Sequence, residues 1–467
     1  MTWTVAIGRR EWVRARPALL PAGGAEGAAF LACGRAGDGS ERRLLVRYVI
    51  PVRDEDWGPS DRGAEGQISA RAVAAAARRI ADDGLSLVWV HSHPLADDTV
   101  RFSDDDRASI VRAHPALLDI TGGQPVGALV VGRRSAAGEV WTPAGVATID
   151  SVRLLGPEIA ELREAPLPGV EVDPRRARQA LLLGRAGQAR LRRLAVGVFG
   201  AGGGGSMVVQ QLAHLGVGRI VVVDFDRVED SNISRIVGSE AADAQDRPLK
   251  VEVLRRLVAR IDPDIRFDAI DGDITYEDTF RQLTDLDFAF LATDRFYPRL
   301  AFNVLVHQFL VPGIQVGAKV TRRPDGTVEL VHVAERIVMP GQSCLECAGL
   351  IDEAGLRAEL TTPGERQAQR YLDGPEPDLE DPSVITLNGV AASIAATDFL
   401  LMATGLLAPG TDLDSRIYLP ETRSLHSRSL RCKPGCGRCD GRLRGSAFAM
   451  GDGLGLPLRP GARPTSR

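Results

Sequence analysis

The chain has 467 residues, enough for about two or three domains, and 44% hydrophobic and 25% charged residues are typical of a globular protein. Its formal net charge of −4 argues against a strongly basic surface that would hold nucleic acid or an anionic membrane. The first residues lack the apolar core of a signal peptide, and no run approaches about 18 apolar residues. We therefore expect a cytoplasmic protein without a membrane segment.

Residues 1–150 predict an α/β domain. "GAAFLAC" and "RRLLVRYVIPV" are typical of paired strands, and "SARAVAAAARRIADDG" is typical of a helix that ends at Gly84. "LSLVWVHSHP" and "VGALVVG" add two buried strands. Residues 151–190 are rich in arginine and helical in pattern, so we expect a helical connector that packs on the domain after it.

Two of the seven histidines, His91 and His93, stand one residue apart at the end of a predicted strand. On an extended segment their imidazoles project to the same side and can bind one metal ion. A catalytic zinc takes three protein ligands and keeps a fourth position for water. Asp104, Asp105 and Asp106 follow, and spacing alone does not select one of them as the third ligand.

The stretch from His91 to Asp106 resembles the signature of the JAB/MPN-type (JAMM) metalloproteases. It reads His91-Ser-His93-Pro94, eight further residues, and then Ser103-Asp-Asp-Asp106. The resemblance implies that Asp106 is the third zinc ligand and that Ser103 donates a hydrogen bond to the developing oxyanion. It also implies a cytidine-deaminase-like α/β fold for this domain.

The same family has a glutamate near an early strand that accepts the proton of the zinc-bound water. Glu26 stands just ahead of "GAAFLAC" and fits that pattern, while Glu55 and Glu65 remain alternatives. A bound zinc lowers the pKa of water toward about 7, so a nearby carboxylate can accept its proton.

A glycine-rich turn follows a predicted strand in "LAVGVFGAGGGGSMVVQQLAHLGVGRIVVVDFD". Gly200, Gly202 and Gly205 allow a tight turn, and the helix after it presents its N-terminus to phosphate. Asp224 lies 19 residues after Gly205, close to the spacing of about 20 expected for a ribose-binding acid. By itself this pattern also fits a NAD-dependent dehydrogenase, because such an enzyme binds its dinucleotide at the same kind of glycine turn on a Rossmann-like parallel sheet.

The continuation, "VVVDFDRVEDSNISR", resembles the ThiF/MoeB-like adenylyltransferases, which share their fold with ubiquitin-activating enzymes. The resemblance implies a Rossmann-like adenylation domain that binds ATP and magnesium. It implies that Asp224 holds the ribose, that Asn232, Arg235 and Lys250 hold the phosphates, and that Asp294 binds magnesium.

Three further positions bear on this resemblance. "RRARQALLLG" resembles the family's N-terminal helix, whose arginine, here Arg178, reaches into the nucleotide site of a partner subunit, which implies a homodimer. Lys250 is one of three lysines in a chain that otherwise uses arginine, as expected where a compact ammonium meets a phosphate. Arg295 follows Asp294 where the family usually has asparagine.

Five of the six cysteines form two groups. Cys344 and Cys347 form one Cys-x-x-Cys pair and Cys436 and Cys439 another, a spacing that suits a structural zinc held by four thiolates. The ThiF/MoeB-like proteins carry such pairs at corresponding places. Cys432 is an alternative ligand, although "PGCGRC" fits the pattern better.

The segment between these pairs lacks the nucleophilic cysteine that ubiquitin-activating enzymes often carry there. Residues 348–431 contain no cysteine, and Thr361 or Thr362 would be a poor substitute. We expect a crossing loop over 352–383, a helix over "VITLNGVAASIAATDFLLMATG", and a transfer that needs no loop thioester. Residues 441–467 are rich in Gly, Pro and Arg and predict a flexible tail.

Together the patterns predict a metalloprotease domain over 1–150, a connector over 151–190, an adenylyltransferase domain over 191–440 and the tail. The two resemblances imply that both domains act on the C-terminal glycine of a ubiquitin-like or sulfur-carrier protein ending in Gly-Gly. Conjugation to a target and sulfur transfer to a cofactor, metabolite or tRNA both remain open, with a conjugating enzyme or a sulfur donor as the further partner. A docking protein without activity is a third interpretation.

Overall fold

A computed structural model describes residues 2–37, 41–58, 67–167, 171–323, 325–360, 382–408, 410–413, 415–443 and 445–464. Two eight-stranded sheets organise these residues into two successive α/β units. We call them the first unit, built on the N-terminal sheet, and the second unit, built on the other.

The first unit contains the predicted pair of strands and the predicted helix. Its strands are β1 (Thr2–Gly8), β2 (Ala28–Ala36), β3 (Glu41–Pro51), β4 (Trp57–Gly58), β5 (Gln67–Ile68), β6 (Ser86–Ser92), β7 (Val126–Val131), β8 (Ala136–Thr142), β9 (Gly145–Leu155) and β10 (Ile159–Leu162). Its helices are α1 (Arg9–Leu19), α2 (Ala70–Asp82) and α3 (Asp104–Ile120). The main sheet has the order β1-β3-β2-β6-β7-β8-β9-β10, and β1 also pairs with β9, so the sheet closes on itself. β4 and β5 form a separate two-stranded ribbon.

The predicted boundary at residue 150 is wrong, because the first sheet extends to Leu162. β9 and β10 pair over residues that the sequence assigns to a helical connector. Arg153 interrupts the apolar pattern that would indicate a buried strand. Its guanidinium is nevertheless buried, because it is paired with Asp287 of the second unit at 2.6 Å. A helix begins only at Ala177.

The second unit is the predicted doubly wound sheet with an antiparallel extension. Its strands are β11 (Ala195–Phe199), β12 (Arg219–Val223), β13 (Arg266–Ile270), β14 (Phe288–Leu291), β15 (Gly313–Arg322), β16 (Val328–Val338), β17 (Ser415–Leu419) and β18 (Ser424–Arg428). Its helices are α4 (Ala177–Arg193), α5 (Gly203–Leu215), α6 (Ala241–Asp246), α7 (Lys250–Ile261), α8 (Glu277–Arg281), α9 (Phe296–Gln308), α10 (Glu353–Leu360) and α11 (Ile385–Thr404). β13-β12-β11-β14-β15 run parallel, and β16, β17 and β18 continue antiparallel.

Helix α11 confirms the predicted apolar helix. Within the described part of the chain, it is the one helix long and apolar enough to cross a membrane, with a mean hydropathy of 1.5. Here it packs against α5 and β15. Its fully buried residues include Ala392, Ala395, Phe399 and Met402, which belong to the core of the second unit.

The predicted flexible tail is wrong for the described residues after Gly441. Phe448 and Ala449 are completely buried. The backbone is held from both units, since Ala449 N donates to the carbonyl of His307 at 2.8 Å and Asp452 N donates to that of Arg35 at 2.7 Å. The sequence of this segment has few apolar residues and no periodicity that would indicate order. Backbone hydrogen bonds and one aromatic side chain hold the segment in place, and neither leaves such a pattern.

Replacing Phe448 by Ala tests this anchoring role. A Phe-to-Ala change in a close-packed core costs about 3–5 kcal/mol, so we expect the free energy of unfolding to fall by at least about 3 kcal/mol. Leu454→Ala is the matched control, because Leu454 lies in the same segment but is 41% exposed. Chemical denaturation of both variants measures the difference, and equal stabilities would contradict the packing of this segment.

Candidate functional site

The nucleotide-site residues predicted from the sequence meet at one edge of the second sheet. β12, β11 and β14 are neighbours and run parallel, so their carboxyl ends lie side by side. The glycine turn follows β11, Asp224 follows β12, and Asp294 follows β14. In open α/β sheets ligands bind outside the carboxyl ends of the strands.

Packing requires glycine at particular places in this turn. A Cβ on Gly205 would lie 1.8 Å from the carbonyl oxygen of Gly200, and Gly200 itself has a φ of 100°. A Cβ on Gly202, in contrast, would meet no atom within 4 Å. Gly202 caps the N-terminus of α5, where the backbone is therefore open to an approaching phosphate.

Asp224 holds the turn in place. Its carboxylate accepts hydrogen bonds from the backbone N–H groups of Ala201 at 2.6 Å and Asp226 at 2.7 Å. Burial raises the pKa of Asp224, although the Ala201 hydrogen bond and the charge of Lys250 oppose that effect. The Nζ of Lys250, at the first position of α7, lies 2.8 Å from a carboxylate oxygen of Asp226.

Asn232 and Arg235 lie on the next turn. Asn232 is 5% exposed, and its Oδ1 is buried without a hydrogen-bond partner among the described residues. Arg235 donates to the carbonyl of Ser231 at 2.5 Å. The Val237 N–H donates to Ser206 Oγ at 3.0 Å, which ties this turn to α5.

Asp294 is exposed in the turn between β14 and α9. The first N–H groups of α9, on Phe296 and Tyr297, donate to the carboxylate of Glu359 at 2.7 and 2.9 Å. Arg295 Nε lies 4.0 Å from the same carboxylate. The departure from the family's asparagine at position 295 thus places a cation beside the acid that caps α9.

Arg178 is exposed near the start of α4. Leu181 and Leu182, on the same helix, are 88% and 64% exposed. Among the contacts of the described residues, none joins Arg178 to the glycine turn of its own chain.

The four predicted zinc-binding thiols converge. The Sγ atoms of Cys344 and Cys436 are 3.9 Å apart, and those of Cys347 and Cys439 are 3.7 Å apart. A tetrahedral zinc with Zn–S bonds of about 2.3 Å places its sulfur ligands about 3.8 Å apart. Cys432 Sγ lies 2.9 Å from Cys439 Sγ, too close for both to be ligands of one ion. The four paired cysteines therefore fit one zinc ion, and Cys432 is not a fifth ligand beside Cys439.

The first unit brings together the two histidines and one acid. Asp106 Oδ1 lies 3.1 Å from His91 Nε2, and Asp106 Oδ2 lies 3.3 Å from His93 Nε2. All three ligand atoms lie within 4.8 Å of one another. Ligands of a tetrahedral zinc with bonds near 2.1 Å are about 3.4 Å apart, so these three side chains fit one ion.

A helix cap positions Asp106. Ser103 is the N-cap of α3: its Oγ accepts from Asp106 N at 3.1 Å, and its N–H donates to Asp106 Oδ2 at 2.8 Å. Burial acts to raise the pKa of Asp106, but the hydrogen bond and charge of His91 and the bonds from Ser103 outweigh it. The pKa of Asp106 therefore lies below its usual value, as a metal-binding carboxylate requires.

Glu26 lies closest to this triad among the predicted glutamates that the structure describes. Its Oε1 is 3.8 Å from His93 Nε2. Glu55 is exposed and pairs with Arg53 at 3.4 Å. Glu65 lies outside the described residues, as do Thr361 and Thr362.

A cleft of about 470 Å³ opens beside the triad, between α2, α3 and the β4–β5 ribbon. His91, Asp106 and Glu26 line one part of it. Its wall is mostly apolar and includes Trp57, Val73, Trp89, Leu117 and Ile120.

Comparison with known proteins identifies a family that matches the second unit. Residues 176–439, more than half of the chain, match the ThiF family. The chain belongs to the ThiF family. The match begins after the first sheet and ends at the last of the four converging cysteines.

Curated relatives of this ThiF protein resemble it over part of their length. Ubiquitin-like modifier-activating enzyme 5 of Xenopus laevis is 26% identical over 182 residues, which cover 36% of this chain and 45% of the relative. Sulfur carrier protein adenylyltransferase of Thermus thermophilus is 39% identical over 128 residues, 27% of this chain and 46% of the relative. The chain thus spans less than half the length of these relatives. A crystal structure of E. coli MccB with AMPCPP and MccA is 20% identical, with a TM-score of 0.47, and covers 58% of this chain and 75% of that one.

Two residues near the ThiF nucleotide edge escape the sequence patterns. Asp226, the second acid of "DFD", meets Lys250, and the doubled acid was the signal that could have indicated it. The guanidinium of Arg463 lies 3.8 Å from the centre of the Phe225 ring. Phe225 stands between the two acids, Asp224 and Asp226, in the sequence. No local pattern indicates Arg463, because the contact depends on the course of the C-terminal segment.

Metal analysis tests both clusters of the ThiF protein. We expect about two zinc ions per chain, of which Cys344→Ser and His91→Ala should each remove one. Cys33→Ser is the control, because Cys33 is buried in β2 and belongs to neither cluster. Elemental mass spectrometry measures the ratio, and a wild-type value near one would show that one of the two clusters does not bind zinc.

Proposed function

We propose that the second unit adenylates the C-terminal carboxylate of a ubiquitin-like or sulfur-carrier protein with ATP. The observation that carries this proposal is the meeting of the glycine turn, Lys250 and Asp294 at the carboxyl ends of three neighbouring strands in a ThiF-family chain. The names of its relatives, which include a modifier-activating enzyme and a sulfur-carrier adenylyltransferase, support the substrate class.

The residues at this edge suit such a reaction. The open N-terminus of α5 at Gly202 would bind phosphate oxygens, and Lys250 and Arg235 would neutralise their charge. A carboxylate oxygen of the substrate would attack the α-phosphorus, the bond to the β-phosphate oxygen would break, and pyrophosphate would leave. Asp294 would hold a magnesium ion, which supplies positive charge for the leaving pyrophosphate.

We propose further that the first unit is a zinc peptidase of the JAMM class. The convergence of His91, His93 and Asp106 supports this, together with the glutamate near them. Zinc at this triad would act as a Lewis acid that lowers the pKa of a water molecule. Glu26 would accept the proton of that water and pass it to the leaving amine, and the Ser103 O–H would donate to the oxyanion. The cleft beside the triad has room for a substrate chain.

The two activities would share one substrate, a small protein ending in Gly-Gly. The first unit would trim its precursor or release it from a target, and the second would activate the exposed carboxylate. Residues 348–431 contain no cysteine, and Cys432 lies against the zinc-binding thiols. These features favour direct transfer from the adenylate to an external amine, thiol or sulfur donor, as in thiolation of a cofactor, metabolite or tRNA.

A homodimer in the cytoplasm completes the proposal. Arg178 and the exposed Leu181 and Leu182 present a surface that a second copy would cover, bringing Arg178 toward the nucleotide site of its partner. Reduced thiols able to hold zinc suit the reducing cytoplasm.

Separate substitutions test the division of labour. Asp294→Asn should lower ATP–pyrophosphate exchange at least about 100-fold and leave peptidase activity unchanged, because it removes the magnesium-binding carboxylate. Asp106→Asn should do the reverse, because it removes a zinc-binding charge in the other unit. Each variant is the control for the other when both activities are measured on one preparation. Loss of both activities in either variant would contradict independent sites.

Arg463 offers a second test of the nucleotide edge. We propose that its guanidinium, stacked on Phe225, contributes positive charge to ATP binding. A cation contact worth about 1 kcal/mol predicts that Arg463→Ala raises the KM for ATP about fivefold with little change in kcat. Arg463→Lys should restore part of the loss, and Arg442→Ala, at an exposed arginine of the same segment, should have no effect. An unchanged KM in Arg463→Ala would exclude this role.

A further inference from the structure

A small polar cavity lies between the two units, away from both candidate sites. Its volume is about 180 Å³. Strands β1, β3, β9 and β10 of the first unit line one side, and α4 and residues 284–287 of the second unit line the other. Any molecule bound there would contact both units.

Arg43 is the most deeply buried cation of this cavity. It is 5% exposed, and its Nη1 donates to the carbonyls of Thr284 at 3.0 Å and Leu286 at 3.3 Å. Its Nε and Nη2 are buried and have no acceptor among the described residues. Burial, aided by the charge of Arg153, lowers the pKa of Arg43 to about 10, so the guanidinium is still charged at neutral pH.

Other donors that line the cavity also lack acceptors. Within the described ranges, Arg190 Nη2 and Arg163 Nε are buried without a partner. Arg190 forms no ion pair with a described carboxylate, and burial lowers its pKa. A buried N–H that makes no hydrogen bond costs about 1–3 kcal/mol, and more when it carries charge.

Most carboxylates of the cavity are already engaged by other arginines. Asp287 pairs with Arg153, Asp150 and Glu161 pair with Arg163, and Asp285 pairs with Arg219, at 2.6–2.8 Å. Glu41, the remaining acid of the lining, is exposed to solvent. Carboxylates nearby still act on the charge of Arg43 and of Arg190. Neither guanidinium forms an ion pair with a described carboxylate, so Arg43 Nε and Nη2 and Arg190 Nη2 keep no acceptor among the described residues.

We propose that this cavity binds a small inorganic oxyanion of the phosphate class. The anion would accept hydrogen bonds from Arg43 Nε and Nη2 and from Arg190 Nη2. Guanidinium groups bind such tetrahedral oxyanions through charge-assisted hydrogen bonds. Because Arg43 comes from the first sheet and Arg190 from α4, the bound anion would link the two units. The site is distinct from the nucleotide edge and requires neither proposed activity.

Thermal unfolding in inorganic phosphate tests the site. Both arms use the full-length chain at equal ionic strength, one with sodium phosphate and the other with sodium chloride. Phosphate should raise the Tm of the wild-type protein by about 2–4 °C over chloride. Arg190→Gln and Arg43→Gln should each lose this rise, whereas Arg185→Gln, an exposed arginine of the same helix, should keep it.

One control distinguishes this site from the nucleotide edge. Lys250→Ala removes a cation of the nucleotide edge and should keep the phosphate effect. If it loses the effect while Arg190→Gln keeps it, phosphate binds at the nucleotide edge and the proposal is wrong. The absence of any rise over chloride in the wild type would also overturn it, and would leave water as the content of the cavity. Arg190→Gln carries the test alone if Arg43→Gln does not fold, because the loss of the Arg43 bonds to Thr284 and Leu286 could itself unfold the chain.

Discussion

The carboxylate of Asp224 joins the ends of two parallel strands. By accepting the N–H groups of Ala201 and Asp226, it holds the glycine turn after β11 against the acidic turn after β12. The open N-terminus of α5 and the ammonium of Lys250 are placed by these two turns. If the turns moved apart, the positive groups at this edge would no longer face one ligand, and the chemistry proposed for the second unit would lose its site.

A second set of contacts holds the two units together. Arg153 pairs with Asp287, Arg43 donates to the carbonyls before β14, and the C-terminal segment packs Phe448 into the core and returns to the first sheet at Arg35. Such buried charged contacts restrict relative motion of the units. If the two proposed activities act on one substrate, that substrate would pass between two sites in fixed positions, released from one and captured by the other, rather than be carried by a moving domain.

The sequence predicts the parts of this structure that depend on local spacing. His91, His93 and Asp106 lie at a strand end and in the first turn of the next helix, so a short motif specifies their meeting. Each Cys-x-x-Cys pair is likewise a local pattern, and the fold brings the two pairs together as expected. The glycine turn is also local, since it lies between one strand and the next helix.

Features that depend on distant partners escaped prediction. β9 carries Arg153 on a buried strand because Asp287, far along the chain, pairs with it. The packing of the residues after Gly441 depends on hydrogen bonds to His307 and Arg35, which no pattern near residue 450 reveals. The position of Arg463 over Phe225 depends on backbone hydrogen bonds that tie residues 459–461 to residues 275–278. Asn232 is partly similar, because the sequence indicates it as a site residue but does not indicate that the fold buries it.

The most direct test of the account is ATP–pyrophosphate exchange with two forms of one carrier protein ending in Gly-Gly. The form with a free C-terminal carboxylate should support exchange, and the form whose C-terminus is an amide should support none, because only the carboxylate can attack the α-phosphorus. Equal exchange with both forms, or with no carrier at all, would contradict activation of a C-terminal glycine by this chain.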